Sequence, residues 1–126
     1  MHEKRIEIRW RDLDAAGHVN NAVFLTYLEE ARDEWLDRTL GETWDYLLAR
    51  VAVDYRRELR LEDDEVLARC GVARIGTSSV TTREELLTAA GELAAEAEAV
   101  VVARDPASGR ARPLSAEERA ALAREA

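Results

Sequence analysis

The feature that most constrains the fold is a change of hydrophobic period near residue 21. Ahead of it, KRIEIRW (Lys4 to Trp10) alternates: Ile6, Ile8 and Trp10 fall on one side and Arg5, Glu7 and Arg9 on the other, the period of a half-buried strand. From Asn21 the apolar residues Phe24, Tyr27, Leu28, Ala31 and Trp35 recur at three and four residues, so one face of a helix is apolar. Asn20 or Asn21 caps this helix, and Gly41 ends it near Leu40. The polar segment RDLDAAGHVNN (Arg11 to Asn21) lies between strand and helix as a loop.

The rest of the chain is mostly strand-like. GETWDYLLAR reads as a short second helix or a turn. Val51 to Leu59 reads as a strand with Val51, Val53 and Tyr55 on one face, and LEDDE as a charged turn. Val66 to Ile75 is a further strand, broken by Gly76 and resumed in SSVTTREELL; Gly91 marks a hairpin turn, and Glu92 to Arg104 ends in the strand-forming AVVVA. DPASG is a turn, and Ser115 opens a C-terminal helix with Glu118 as its capping-box partner. One conflict stands out: REELLTAAGELAAEAEA is rich in helix formers, and local propensity alone makes residues 83–98 helical.

A length of 126 residues fits a single domain, 1–126, able to bury a core. The 47% hydrophobic and 35% charged content is that of a globular chain. A net charge of -8 argues against nucleic acid as the main partner. The single cysteine, Cys70, has no partner for an internal disulfide; with no apolar signal segment, a cytoplasmic protein is expected. No apolar run approaches the ~20 residues of a membrane span.

The loop before the helix carries the chemistry. Singly, Asp12 and Asp14 are ordinary turn caps, Gly17 a source of positive φ and Asn20 an N-cap. A metal site from Asp12, Asp14 and His18 lacks a second histidine or a cysteine pattern, so no metal and no cofactor is expected. In combination they suggest more. A helix N-terminus presents free N–H groups that hold an oxyanion, and a carboxylate just ahead of it attacks a carbonyl or activates water, the logic of acyl transfer.

The run DLDAAGHVNNAVFLTYLEEAR (Asp12 to Arg32) resembles the signature of the 4-hydroxybenzoyl-CoA thioesterase family of the hot-dog fold, D-x-D-x-x-G-H-V-N-N followed by an aromatic and Y-x-E-x-A-R. Asp12, Asp14, Gly17, His18, Val19, Asn20, Asn21, Phe24, Tyr27, Ala31 and Arg32 match it, with Glu29 or Glu30 at the acidic position. DYRREL, RIGTSSV (as the family's R-x-G-x-S-S) and AEAEAVVVARDPASGRARPL continue the likeness in order.

The resemblance implies an α+β hot-dog fold: a curved antiparallel β-sheet wrapped around one long central α-helix, Asn21 to Leu40, with a short C-terminal helix. This is the ground for reading residues 83–98 as strand despite their propensity. It implies hydrolysis of acyl-CoA to a carboxylic acid and CoA, with Asp14 as nucleophile or general base, the Asn21 N–H as oxyanion donor, Gly17 shaping the loop and His18 orienting the acyl group or water. Asp12 holds the loop; for Glu29 or Glu30, pairing with Arg32 and a solvated helix face are equal readings. Candidate substrate contacts are Asn20, Tyr27, Arg57, Arg74, Thr77, Ser78 and Ser79, with Arg56 and Arg60 also near; Thr77 stands where relatives often carry a basic residue. At least a homodimer with a continuous sheet is expected, or a homotetramer of such dimers, with acyl-CoA bound between subunits. The rival readings are a thioesterase acting on acyl carrier protein and a non-catalytic acyl-CoA-binding module; a hot-dog dehydratase fits the acid and histidine less well.

Overall fold

The computed structural model describes residues 1–125; Ala126, the last residue of the expected single domain, lies outside them. Strand β1 (His2–Glu7) leads through a 3-10 turn (Trp10–Asp12) to helix α1 (Asn21–Leu40). Strands β2 (Tyr46–Tyr55), β3 (Glu65–Ile75), β4 (Ser79–Thr88) and β5 (Leu93–Ala103) follow, then helix α2 (Ala116–Ala123). The strands form one sheet in the order β1-β3-β4-β5-β2, antiparallel throughout. Register shifts in the β2–β5, β3–β4 and β4–β5 ladders are the irregularities that bend a sheet. Helix α1 lies across β3, with β1 and β4 beside it. This is the hot-dog architecture: one long helix held in an antiparallel sheet.

The apolar stripe of α1 makes the core. Phe24, Tyr27, Leu28, Ala31, Trp35 and Leu36 are buried, packed with Val66, Ala68, Cys70, Val80, Leu86, Ala95 and Val101 of the sheet. Each large apolar side chain so buried contributes roughly 1.5–3 kcal/mol. Asn20 caps α1, its Oδ1 accepting the Ala22 N–H at 2.8 Å, and Gly41 follows the last turn at φ +98°. At α2, Ser115 Oγ accepts the Glu118 N–H and Glu118 Oε1 accepts the Ser115 N–H, the expected capping box.

The helix-prone segment 83–98 is strand, turn and strand. Along β4, Thr82, Glu84, Leu86 and Thr88 are buried while Arg83 is exposed, a period of two that only a strand supports. Pairing with β3 on one side and β5 on the other satisfies its backbone, which outweighs a helix propensity of a few tenths of a kcal/mol per residue.

Four expectations need correction. Trp10 does not face inward with Ile6 and Ile8: β1 ends at Glu7, and Trp10 enters the 3-10 turn 79% exposed. GETWDYLLAR is not a short helix; a turn leads into β2, which begins at Tyr46 and stops at Tyr55 rather than running from Val51 to Leu59. Trp44 and Tyr46 stack at 5.3 Å, and the Trp44 Nε1–H donates to Glu118, tying this segment to α2. Arg32 does not pair with Glu29 or Glu30, which lie exposed on α1. It reaches Glu84 on β4 through two bonds, Nε to Oε2 at 2.8 Å and Nη2 to Oε1 at 3.0 Å. Both residues are buried, and the Thr82 hydroxyl donates to the same carboxylate at 2.6 Å. Burial removes Arg32 from water, so its charge requires a fixed partner, and that partner comes from a distant strand.

Candidate active site

The segment between the 3-10 turn and α1 folds back on itself. Leu13 and Val19 form an isolated antiparallel bridge, and the Asn20 N–H reaches the Asp12 carbonyl at 2.9 Å. Gly17 closes the turn inside this bridge, its N–H on the Asp14 carbonyl at 3.1 Å. Its φ of +84° explains the glycine: open space surrounds a would-be Cβ, so the backbone conformation rather than crowding selects it. The Val19 N–H to Leu59 carbonyl bond at 2.8 Å pins the loop to the segment after β2.

Asp12 is the loop's buried anchor. Its Oδ2 accepts the Tyr27 hydroxyl at 2.7 Å and the Arg9 N–H at 3.0 Å, and its Oδ1 accepts the Arg9 guanidinium at 2.9 Å. Burial by itself pushes this carboxyl upward, but the bonds from Arg9 and Tyr27 outweigh it and hold the group below the usual carboxylate range. Burial and then the Asp12 anion push the Tyr27 hydroxyl well up, so it stays a donor. Tyr27 is thus occupied in the core, away from the cleft described next.

Asp14 is exposed. Its Oδ1 accepts the Ala16 N–H at 2.9 Å and the His18 N–H at 3.2 Å. That fixes the carboxylate while Oδ2 carries no bond among the described residues. Asp14 lines a cleft of about 400 Å³ together with His18, Asn21, Phe24, Tyr55 and Arg57, among others. The Asn21 N–H, at the first position of α1, likewise has no acceptor among the described residues, as expected of a helix N-terminus. The Tyr55 hydroxyl donates to the Asn21 carbonyl at 2.9 Å, and its ring meets Phe24 edge-on at 5.1 Å. Asp14 and Asn21 thus line one cleft, an exposed carboxylate and the first residue of a helix.

Sequence reasoning brought Asp14, Gly17, His18, Asn20, Asn21 and Arg57 to this region. It missed Tyr55, whose alternation suggested a strand face, and Glu58, for which no local signal exists. Arg57 lies at the cleft with its guanidinium on Glu92 at 2.8 Å and Asp63 at 3.3 Å. The Asp63 bond, the largest influence, raises its pKa against the opposing effect of burial.

Arg74, Thr77, Ser78 and Ser79 are not brought here. They sit at the β3–β4 turn, while the Asp14 loop joins the chain near the opposite end of the sheet, where Thr88 pairs with Val66 and the Arg56 N–H reaches the Ala94 carbonyl. Strand β4 runs from Ser79 to Thr88, ~30 Å at strand rise. The turn is built firmly: the Arg119 guanidinium donates to the Gly76 carbonyl at 2.7 Å, and the Leu114 N–H donates to the Thr77 carbonyl at 2.9 Å. A Cβ on Gly76 would stand 2.6 Å from Ser79 Oγ, so a larger residue here would make that hydroxyl turn away.

With fold and cleft in place, likeness to known proteins decides the family. The model of the thioesterase-like superfamily matches residues 8–122. The chain belongs to the thioesterase-like superfamily. It is similar to the long-chain acyl-CoA thioesterase FadM of Escherichia coli (strain K12), 28% identical over 126 residues, spanning 95% of this chain and 96% of that one. Among solved structures, a thioesterase complexed with coenzyme A and Zn from Thermus thermophilus is 37% identical with a TM-score of 0.85, covering 95% of both chains. A predicted thioesterase from Bacillus stearothermophilus reaches a TM-score of 0.90 at 26% identity, covering 98% of this chain and 94% of that one. Family and fold make this thioesterase-like chain a thioester hydrolase of the hot-dog type. Among the described residues no helix is long and apolar enough to cross a membrane.

Proposed function

We propose that this thioester hydrolase cleaves acyl-CoA, with Asp14 as base or nucleophile and the Asn21 N–H as oxyanion donor. The observation that carries the reading is the pairing of two unsatisfied groups in one cleft, Asp14 Oδ2 and the first N–H of α1. Water deprotonated by Asp14, or the Asp14 carboxylate itself, adds to the thioester carbonyl, the oxygen charge grows toward the helix N-terminus, and the C–S bond breaks; by the second route the mixed anhydride on Asp14 is then cleaved by water, which restores the carboxylate. The CoA thiolate leaves and takes a proton from solvent; the acyl group leaves as a carboxylic acid. A general base contributes roughly 10²–10⁴-fold and one oxyanion donor roughly 3–4 kcal/mol.

CoA recognition fits a two-subunit site. The Arg74 to Ser79 turn lies ~30 Å from the Asp14 loop along β4, so one subunit's turn does not reach its own cleft. Strand β2 is an open sheet edge ten residues long, with Leu47 and Leu48 exposed on it. Pairing two such edges gives a homodimer with a continuous sheet, and the expected binding of acyl-CoA between subunits follows.

The test is purified protein with short, medium, long and aromatic acyl-CoAs, following free thiol, beside Asp14→Asn. Turnover that the substitution abolishes, with Tm kept, supports the reading. Binding without turnover points instead to an acyl-CoA-binding module, and activity only on acylated carrier protein to the carrier-protein thioesterase.

A further inference from the structure

Tyr55, the last residue of β2, reaches across to the first turn of α1. Its hydroxyl donates to the Asn21 carbonyl at 2.9 Å, and its ring meets Phe24 edge-on at 5.1 Å. Phe24 is 2% exposed, so the tyrosine ring is seated on the core while its hydroxyl holds the helix end. A carbonyl oxygen has two lone pairs. The α-helical bond from the residue four along uses one, and Tyr55 takes the other.

Helix ends fray, because the first N–H groups have no partner within the helix. Two peptide planes meet at Asn21, and both are held from outside the regular ladder. The peptide that carries the Asn21 N–H has its own carbonyl, that of Asn20, on the Val23 N–H at 2.9 Å. The next peptide carries the Asn21 carbonyl, and Tyr55 holds it. Among the described residues, Tyr55 is the only side chain bonded to Asn21. The other charged groups of the cleft are engaged elsewhere. Arg56 is on Glu96 at 2.7 Å, and Arg57 is on Asp63 and Glu92. His18 Nε2 accepts from Arg60 Nη2 at 3.3 Å, with a Glu58 oxygen 2.8 Å away.

We propose that Tyr55 is a positioning residue of the thioesterase site, whose hydroxyl locks the Asn21 carbonyl and so fixes the direction of the Asn21 N–H. This rests on the reading of Asn21 as the oxyanion donor of the Asp14 cleft. A donor contributes to catalysis only if it already points at the developing oxygen charge, so a first turn free to fray would cost rate without costing substrate affinity.

Kinetics of Tyr55→Phe, Asn21→Pro and the double variant test the role. Tyr55→Phe keeps the ring on Phe24 and deletes the hydroxyl; kcat is expected to fall about fivefold with KM within about twofold and Tm little changed. Asn21→Pro deletes the N–H at the helix position where proline fits best. Asn20 already has φ -58° and ψ 137°, the backbone that a residue before proline adopts. A fall of about 10²-fold is expected there. With the N–H gone the hydroxyl has nothing to aim, so Tyr55→Phe on the Asn21→Pro background adds less than about twofold. Losses that multiply in the double variant overturn the proposal. So does a raised KM at unchanged kcat, which would make the hydroxyl a substrate contact, or an Asn21→Pro variant as active as the parent. A second readout needs no turnover. The Leu25 N–H shares the Asn21 carbonyl in α-helical geometry, and its hydrogen exchange is expected to quicken about threefold in Tyr55→Phe. Unchanged exchange overturns the proposal. A parent that cleaves no thioester, with exchange quickened as described, refutes the reaction and the positioning role together and leaves only the Tyr55–Asn21 bond standing.

Discussion

Asp12 and Asp14 stand two residues apart and live in opposite surroundings. Asp12 is 2% exposed and has both oxygens engaged, by Arg9 and by the Tyr27 hydroxyl. Asp14 is exposed, uses one oxygen to shape its turn and leaves the other without a partner among the described residues. Asp12 ends the 3-10 turn against Tyr27, whereas Asp14 stands in the turn that the Leu13–Val19 bridge closes. The lesson is that two acids of one motif differ in unsatisfied valence: both oxygens of Asp12 are already taken, whereas Asp14 keeps one without a partner among the described residues.

The largest expected effect breaks this contrast through rate. Asp14→Asn keeps an Oδ1 acceptor for the turn but removes the charge; kcat/KM is expected to fall about 10³-fold with Tm unchanged within about 2 °C. Thermal unfolding beside thiol release checks both halves. Loss of Tm without loss of rate would make Asp14 a second anchor and end the comparison.

Next in size is Asp12→Ala. It strands the buried Tyr27 hydroxyl and frees the loop, and a denaturant midpoint should report a destabilisation of about 2–4 kcal/mol. Arg9 adds little to that figure because its guanidinium is largely exposed. A smaller step sharpens it: Tyr27→Phe removes one donor from a carboxylate that keeps Arg9, so about 1 kcal/mol is expected. An equal loss for the two variants would show that Arg9 contributes nothing.

The smallest effect is on pH. The Asp12 carboxyl is held below its ordinary value, so the folded state prefers the anion. That stability is fully present above the ordinary carboxylate pKa of about 4 and is lost as pH falls through the lower folded value. Asp12→Asn should therefore flatten the acid limb of a stability–pH curve below about pH 4. Glu34, Asp63 and Glu118 are depressed in the same direction and retain part of the slope; Arg112, the largest influence on Glu118, helps hold it at about 2. An unchanged limb would mean the charge on Asp12 is not what the loop holds.

Much of the candidate site was legible because it is local. Asp14, Gly17, His18, Asn20 and Asn21 fall within one short segment, and their bonds join neighbours. Glu58 and Tyr55 were not legible: they arrive on β2 and the segment after it, and nothing near either residue announces its partner. Tyr27 fits the family pattern and the apolar stripe equally, and only packing shows its hydroxyl spent on Asp12. The misread start of β2 has a similar cause. WDYLLAR lacks alternation because the edge strand leaves Leu47 and Leu48 exposed, so no buried face imprints a period on it.

What the sequence by itself determined is what short-range physics decides. Helix α1 follows from an apolar stripe between Asn20 and Gly41, the capping box of α2 from Ser115 and Glu118, and the Asp14 turn from Gly17. What only the tertiary structure decided depends on groups far apart in the chain. Residues 83–98 are strand because β3 and β5 satisfy their backbone, and Arg32 takes Glu84 rather than an acid on its own helix. The physical reason is the same in each case. Burial of Arg32 and of alternate residues along β4 removes water as the alternative partner. A backbone N–H or a guanidinium then bonds to whatever the fold places opposite it, and that is fixed by register and packing rather than by neighbours along the chain.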